Sequence, residues 1–165
     1  MLTLQGWFVR SNSELMSSEE VLQQEFDLLK VDLIKAYDAK GMRSSGKWAD
    51  ALEVESSPLS GVITGLSYSQ QLETGRKAGR FPPISSIEDW IRDKGITPID
   101  ISISSLAFLI ARKIAREGWK REDYGGVELI SEVVTDKRIQ DIINKVGDVY
   151  AVEISTDIIK LIKNI

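Results

Sequence analysis

The sequence contains no cysteine and no histidine among its 165 residues. Without cysteine the chain can form no disulfide, no thiolate metal site and no thiol nucleophile. Without histidine it lacks the commonest general base and the commonest transition-metal ligand. Any catalysis would have to rely on carboxylates, lysine, serine or tyrosine, so both absences favour a binding or structural protein over an enzyme. We therefore expect no catalytic residues, no metal site and no cofactor.

Long apolar runs are also missing, since the longest, Leu106–Ala111, spans six residues. A membrane-spanning helix needs about 20 residues, so we expect no contact with a membrane. The first ten residues, MLTLQGWFVR, contain no basic segment ahead of an apolar core, which argues against a secretory signal. With 42% hydrophobic and 28% charged residues, the chain has the composition of a soluble globular protein, and its length predicts a single domain over 1–165.

Charge is distributed unevenly along the chain, whose formal net charge is −4. Residues 76–121 carry ten basic and five acidic side chains, whereas residues 1–40 carry four basic and seven acidic ones. Residues 122–165 carry five basic and nine acidic side chains. The pattern is either ordinary scatter on a solvated surface or the mark of copies that attract one another, basic face to acidic face.

Helical periodicity predicts a long N-terminal helix over about 18–40. Ser17 and Glu20 fit a capping box in front of it, and Gly41 provides the stop behind it. We expect the buried face of this helix to be its apolar stripe, which comprises Leu22, Phe26, Leu29, Leu33 and Tyr37.

Two short strands at 52–55 and 61–67 flank a Ser/Pro/Gly turn, which predicts a β-hairpin. We therefore expect an α/β (α+β) fold, in which a small antiparallel sheet packs against the long N-terminal helix and further helices follow. Glu53 and Glu55 share one strand face, and paired acids of this kind are more often solvated surface than a metal site. The further helices are predicted at 86–94, behind a capping box of Ser85 and Glu88, and from Ser102 or Ser104 to Glu117.

The C-terminal part, 127–165, is predicted to be mainly helical. Gly147 lies inside it and 149–154 has the composition of a strand, so one long helix and a strand followed by a helix both remain open. The helical interpretation rests on an apolar stripe that comprises Ile139, Ile143, Val146, Tyr150, Ile154, Ile158 and Leu161.

The most informative loop is 75–83, Gly-Arg-Lys-Ala-Gly-Arg-Phe-Pro-Pro, at the start of what we interpret as a helical insertion over 76–121. It is either a mobile solvated connection or a protruding contact loop whose Pro-Pro stiffens the exit and whose basic side chains reach a partner. Residues 1–13 show no clear period and are interpreted as a possible extended arm. On the second interpretation the assembly contacts are Arg76, Lys77, Arg80, Phe81, Pro82 and Pro83 of the loop, with Trp7 and Phe8 of the arm.

Several blocks of the sequence resemble the neck, head–tail connector or tail-completion proteins of tailed bacteriophages. Residues 68–75, Tyr-Ser-Gln-Gln-Leu-Glu-Thr-Gly, resemble a Y-x-x-x-x-E-x-G element of that family. Residues 45–48, Ser-Gly-Lys-Trp, stand where members commonly have a TGRL-like segment, which is a departure. The blocks Pro-Pro…Trp-Ile-Arg and Ala-Arg-Lys-Ile are typical of phage versions with an inserted helical segment. The resemblance covers about 32–118.

The resemblance implies a non-enzymatic virion structural protein, located in the neck between portal and tail and assembled in the host cytoplasm. It implies a ring of six or twelve copies that contacts other neck, portal or tail proteins. DNA would pass through the ring, and the net negative charge of the chain argues against tight binding to it. The alternative is a cytosolic α/β adaptor that binds a peptide or protein partner through the edge of the hairpin.

Overall fold

The computed structural model describes residues 16–120 and 128–164. A long N-terminal helix, a two-stranded antiparallel sheet and several further helices make up a small α+β fold, which confirms the predicted fold class. In chain order the elements are α1 (Ser18–Ala39), α2 (Lys47–Asp50), β1 (Glu53–Ser57), β2 (Ser60–Thr64), α3 (Ser69–Thr74), α4 (Ile84–Asp93), α5 (Ile103–Glu117), α6 (Leu129–Val133) and α7 (Asp136–Lys163).

Helix α1 begins at the predicted capping box. The Ser17 side chain accepts a hydrogen bond from the Glu20 amide, and the Glu20 carboxylate accepts one from the Ser17 amide at 2.7 Å. Two amides that the helix itself leaves without partners are satisfied in this way. At the other end Lys40 is the C-cap, and Gly41 takes the left-handed conformation with φ of +61°.

Helix α7 runs antiparallel to α1 and is joined to it by three spaced polar contacts. Ser18 donates its amide and hydroxyl to Glu153 at 2.8 and 2.7 Å, Lys145 lies 2.5 Å from Glu25, and Arg138 lies 3.6 Å from Asp32. Positions 18, 25 and 32 are seven residues apart and therefore share one face of α1. Between the polar contacts lies an apolar cluster made of Leu22, Leu29, Ile142 and Val146.

The β-hairpin packs one face on α1. Strand residues alternate between half-buried and exposed positions, and Val54 pairs with Ile63 on the half-buried side. Gly61 lies on the same side, where a Cβ would meet the Phe26 ring at 2.6 Å, so the close packing requires glycine. Phe26 itself is half-buried, whereas the rest of the predicted stripe is buried: Leu22, Leu29, Leu33 and Tyr37.

Helices α4 and α5 form a hairpin with a core of its own, built on Ile87, Ile91, Ala107 and Ala111. Ile91, Ala107 and Ala111 have no exposed surface, so the two small residues let the helices approach closely.

The predicted start of α4 is wrong, whereas Ser102, one of the two predicted caps of α5, is confirmed. The predicted capping box at Ser85 is wrong, because α4 begins two residues earlier than expected, directly after Pro83, and Ser85 lies inside it. Proline fixes the backbone at the entrance of a helix without needing a side-chain cap. For α5, Ser102 is the N-cap and accepts a hydrogen bond from the Ser105 amide.

The C-terminal part is α6 followed by a single helix, α7, so no strand forms at 149–154. Gly147 lies inside α7, where a Cβ would have nothing within 4 Å. The predicted stripe is only partly the buried face: its member Val146 is buried, but Ile143, Ile154 and Ile158 are at least 43% exposed. Ile142, which the stripe did not include, is buried. The possible arm at 1–13 lies outside the described residues.

We predict that Leu29→Ala destabilises the protein by about 2–5 kcal/mol, because Leu29 is only 2% exposed and lies between α1 and α7. The matched control is Leu28→Ala on the same helix, where the side chain is 49% exposed and the cost should stay within about 0.5 kcal/mol. Urea denaturation measures both. Equal midpoints for the two variants would contradict the assignment of the buried face.

Candidate functional site

The loop 75–83, called the strap here, lies along α5 and runs antiparallel to it. Arg76 and Trp119 exchange two backbone hydrogen bonds of 2.8 and 2.7 Å, and the Gly79 amide donates to the Ala115 carbonyl at 2.8 Å. Further along, the Phe81 ring stacks on Phe108 with centroids 6.1 Å apart. These contacts hold the strap at two levels of α5 and at Trp119 just beyond it, so the loop neither protrudes nor hangs freely.

Two glycines make the crossing of strap and α5 possible. Gly75 and Gly118 have φ of +73° and +79° with ψ of −166°, a region that only glycine enters readily. A Cβ on Gly75 would lie 2.5 Å from the Trp119 carbonyl oxygen, and one on Gly118 would lie 2.4 Å from the Arg76 carbonyl oxygen. The two backbones therefore approach each other more closely than side chains allow.

The predicted contact residues of the strap differ in what they do. Arg76 is half-buried, and its guanidinium donates to the Arg80 carbonyl at 2.9 Å, so it shapes the strap from within. Lys77 and Arg80 have exposed side chains. Pro82 is buried and Pro83 is exposed, whereas Phe81 is 52% exposed despite its stack. Trp7 and Phe8 lie outside the described residues.

Helix α5 adds cations and an aromatic ring beside the strap. Arg112 lies one turn from both Phe108 and Ala115, on the side where the strap runs, and Arg116 follows one turn later. We call the surface made of Lys77, Arg80, Phe81, Phe108, Arg112 and Arg116 the basic face. Within residues 16–120 and 128–164 its four cationic groups form no ion pair with a carboxylate.

The sequence does not predict all of the basic face, because no pattern in it identifies Phe108, Arg112 or Arg116 as contact residues. One signal was present: Phe108 falls off the apolar stripe formed by Leu106, Ile110 and Ile114, so a helical wheel places it on the outer side. Its nearness to Phe81 depends on the course of the strap, which no periodicity encodes.

A groove of about 880 Å³ lies between α4, α5 and the strap, and Lys77 lines it as well. Trp90 and Trp119 line its apolar part, and Lys113 and Lys120 lie at its rim. Lys113 is 4.0 Å from Glu117, which is a weak contact between exposed groups. In the described segments no group of three or more acidic side chains is placed to hold a metal ion.

The α4–α5 hairpin joins the rest of the chain at the C-terminal end of α1. Lys94 donates its ammonium to the carbonyls of Gly41 and Arg43 at 3.0 and 2.6 Å. Arg43 in turn forms a two-pronged contact with Asp38 at 2.6 and 3.0 Å, and the pKa of Asp38 is lowered by this hydrogen bonding. The junction is therefore polar and lies at the C-terminal end of α1.

None of the comparisons with known proteins identifies a relative: no family model, no curated protein and no solved structure matches the chain. Of the helices in the part that the structure describes, none has both the length and the hydropathy to cross a bilayer. The resemblance to phage neck proteins therefore stays a hypothesis, and its support has to come from the sequence blocks and from the surface of the chain.

We predict that Gly118→Ala detaches the strap and lowers the melting temperature. The substitution adds backbone strain of about 1–3 kcal/mol. Overpacking of the new Cβ against the Arg76 carbonyl oxygen costs a similar free energy. Gly95→Ala is the matched control, because Gly95 also has a positive φ, +65°, but has open space around its Cβ position. Thermal denaturation followed by circular dichroism compares them, and a smaller loss at Gly118 than at Gly95 would contradict the close crossing of strap and α5.

Proposed function

We propose that the protein is a non-enzymatic structural protein of a tailed phage, which forms a ring in the neck between portal and tail. The observation that carries the proposal is the basic face. In it the strap and α5 present four cations, which form no ion pair within the described segments, and a stacked pair of half-exposed aromatic rings. Aromatic rings and arginine are enriched where proteins bind one another. Because the chain is acidic as a whole, other copies offer the opposite charge.

Exposed apolar side chains on α7 support an assembly as well. The polar contact of Glu153 with Ser18 marks the level at which α1 begins, and α7 continues for ten residues beyond it. In this extension Ile158, Leu161 and Ile162 are 51%, 68% and 66% exposed. Apolar groups gathered on one helix end are typical of a surface that another protein covers, which supports the proposed assembly.

The ring would contain six or twelve copies, as the family resemblance implies, and it would contact portal, tail or other neck proteins within the virion. The mass of the purified chain tests the proposal. Sedimentation should show one large species of constant composition, and a strict monomer at all concentrations would contradict it.

An adaptor that binds a peptide remains the second candidate, because the described sheet has only β1 and β2, and each strand has an unpaired edge. This candidate predicts a monomer with a peptide ligand. The same sedimentation experiment therefore separates the two functions.

We predict that Lys77→Ser with Arg80→Ser weakens association while the circular dichroism spectrum stays unchanged. Each exposed ion pair contributes only about 0–1 kcal/mol, but a ring repeats every contact. The difference from wild type should shrink as salt is added, because salt screens the charges of the wild-type chain. Sedimentation velocity at low and high salt measures this.

The control is a Lys35→Ser/Arg92→Ser variant, which removes two exposed cations that pair with acids on their own helices. It should assemble like wild type. If the strap variant also assembles like wild type at every salt concentration, the basic face is not an assembly contact.

We also predict that the protein does not bind duplex DNA tightly at physiological salt. Non-specific binding depends on lysine and arginine releasing counterions from phosphates, and the acidic parts of this chain oppose it. A fluorescence titration should give a dissociation constant no tighter than about micromolar. A much tighter constant that Lys77→Ser with Arg80→Ser abolishes would show that the basic face is a DNA site.

A further inference from the structure

The outer face of the hairpin, which points away from α1, combines acidic and apolar side chains. Glu53 pairs with Thr64 and Glu55 pairs with Val62 across the two strands, and all four lie on the exposed side. Val62 is 47% exposed, and Leu59 in the turn is 70% exposed. We call this surface, made of Glu53, Glu55, Leu59 and Val62, the outer hairpin face.

Neither carboxylate of the outer hairpin face forms an ion pair with any residue of the two described segments. The cations of the basic face are without carboxylate partners in the same segments. Both surfaces also have apolar groups beside their charges: Val62 and Leu59 on one, Phe81 and Phe108 on the other. The two surfaces therefore carry opposite charges and each adds apolar groups, as the two sides of a protein interface do.

Within the two described segments, no hydrogen bond or ion pair joins the two surfaces of one copy. The turn of the β-hairpin and the α4–α5 hairpin contact α1 at different levels. The Ser56 hydroxyl donates to the Gln23 side chain at 2.7 Å, which places the hairpin turn beside the N-terminal half of α1. The α4–α5 hairpin is held at Gly41, just beyond the C-terminal end. At 1.5 Å per residue these two levels of the helix are about 25 Å apart.

We propose that the basic face of one copy docks on the outer hairpin face of the next copy. The contact is heterologous, since two different surfaces of the same chain meet, and such a contact closes into a ring when its rotation allows. Lys77 and Arg80 pair with Glu53 and Glu55 of the neighbouring copy, and the Phe81–Phe108 pair covers Val62. This inference rests on the proposed ring and names the surface that accepts the basic face.

Charge reversal on either side tests the contact in the full chain. Glu53→Lys with Glu55→Lys should lower the association constant by about tenfold or more, because like charges then face each other. Lys77→Glu with Arg80→Glu should do the same. An equimolar mixture of the two variants should assemble again. When the variants alternate, wild-type face meets wild-type face and reversed face meets reversed face, so every contact joins opposite charges. Sedimentation velocity reports all three results.

Two controls keep the outcome interpretable. Asp141→Lys with Asp148→Lys places the same charge change on exposed positions of α7 and should assemble like wild type. Glu53→Gln with Glu55→Gln removes the charges without reversing them and should weaken association less than the lysine variant does.

Normal assembly of the Glu53→Lys/Glu55→Lys variant would overturn the pairing but leave the ring intact. Failure of the mixture to assemble, when both variants are folded by circular dichroism, would also overturn it. If the wild-type chain itself is monomeric, the proposed ring fails and this inference fails with it.

Discussion

The antiparallel contact between α1 and α7 fixes the position of every other element packed on α1. Glu25 is buried in this contact, and Lys145 is the cation that compensates its charge. A slip of one residue would leave the carboxylate buried without its partner, which is costly in a protein interior. The polar contacts therefore set the register, and the apolar cluster between them stabilises it. With α1 fixed, its remaining faces carry the β-hairpin on one side and α6 on another.

In the same arrangement, many charged and apolar side chains of the described residues are exposed in a single copy. The α4–α5 hairpin has its own core and meets the rest of the chain through a polar junction, so its outer side stays open. The strap adds Lys77, Arg80 and the Phe81 ring to that side. The β-hairpin on α1 presents Glu53 and Glu55. Each copy thus exposes charges of both signs that form no ion pair with each other within the described segments, which favours contacts between copies.

Local patterns predicted most elements because they act over a few residues. The Ser17–Glu20 capping box, the turn between the strands and the stripe of α1 were all predictable, since each depends on neighbours along the chain. The strap was not, because its course is set by the close crossing of Gly75 and Gly118, residues 43 apart in sequence. For α7, periodicity identified a helix but not which of its faces is buried, because that choice depends on α1. Within the basic face, the sequence identified Lys77 and Arg80 as candidate contacts. The position of Phe108 beside Phe81 depends on the tertiary structure and could not be predicted.

The proposed assembly is a closed ring in which two different surfaces of neighbouring copies meet. Closure distinguishes it from every other assembly of this chain. Electron micrographs of the purified wild-type protein test it directly, because end-on views show closure and copy number together. We expect closed rings with one constant number of copies and a central opening. Open filaments of varying length, symmetric dimers or single particles of monomer size would contradict the proposal.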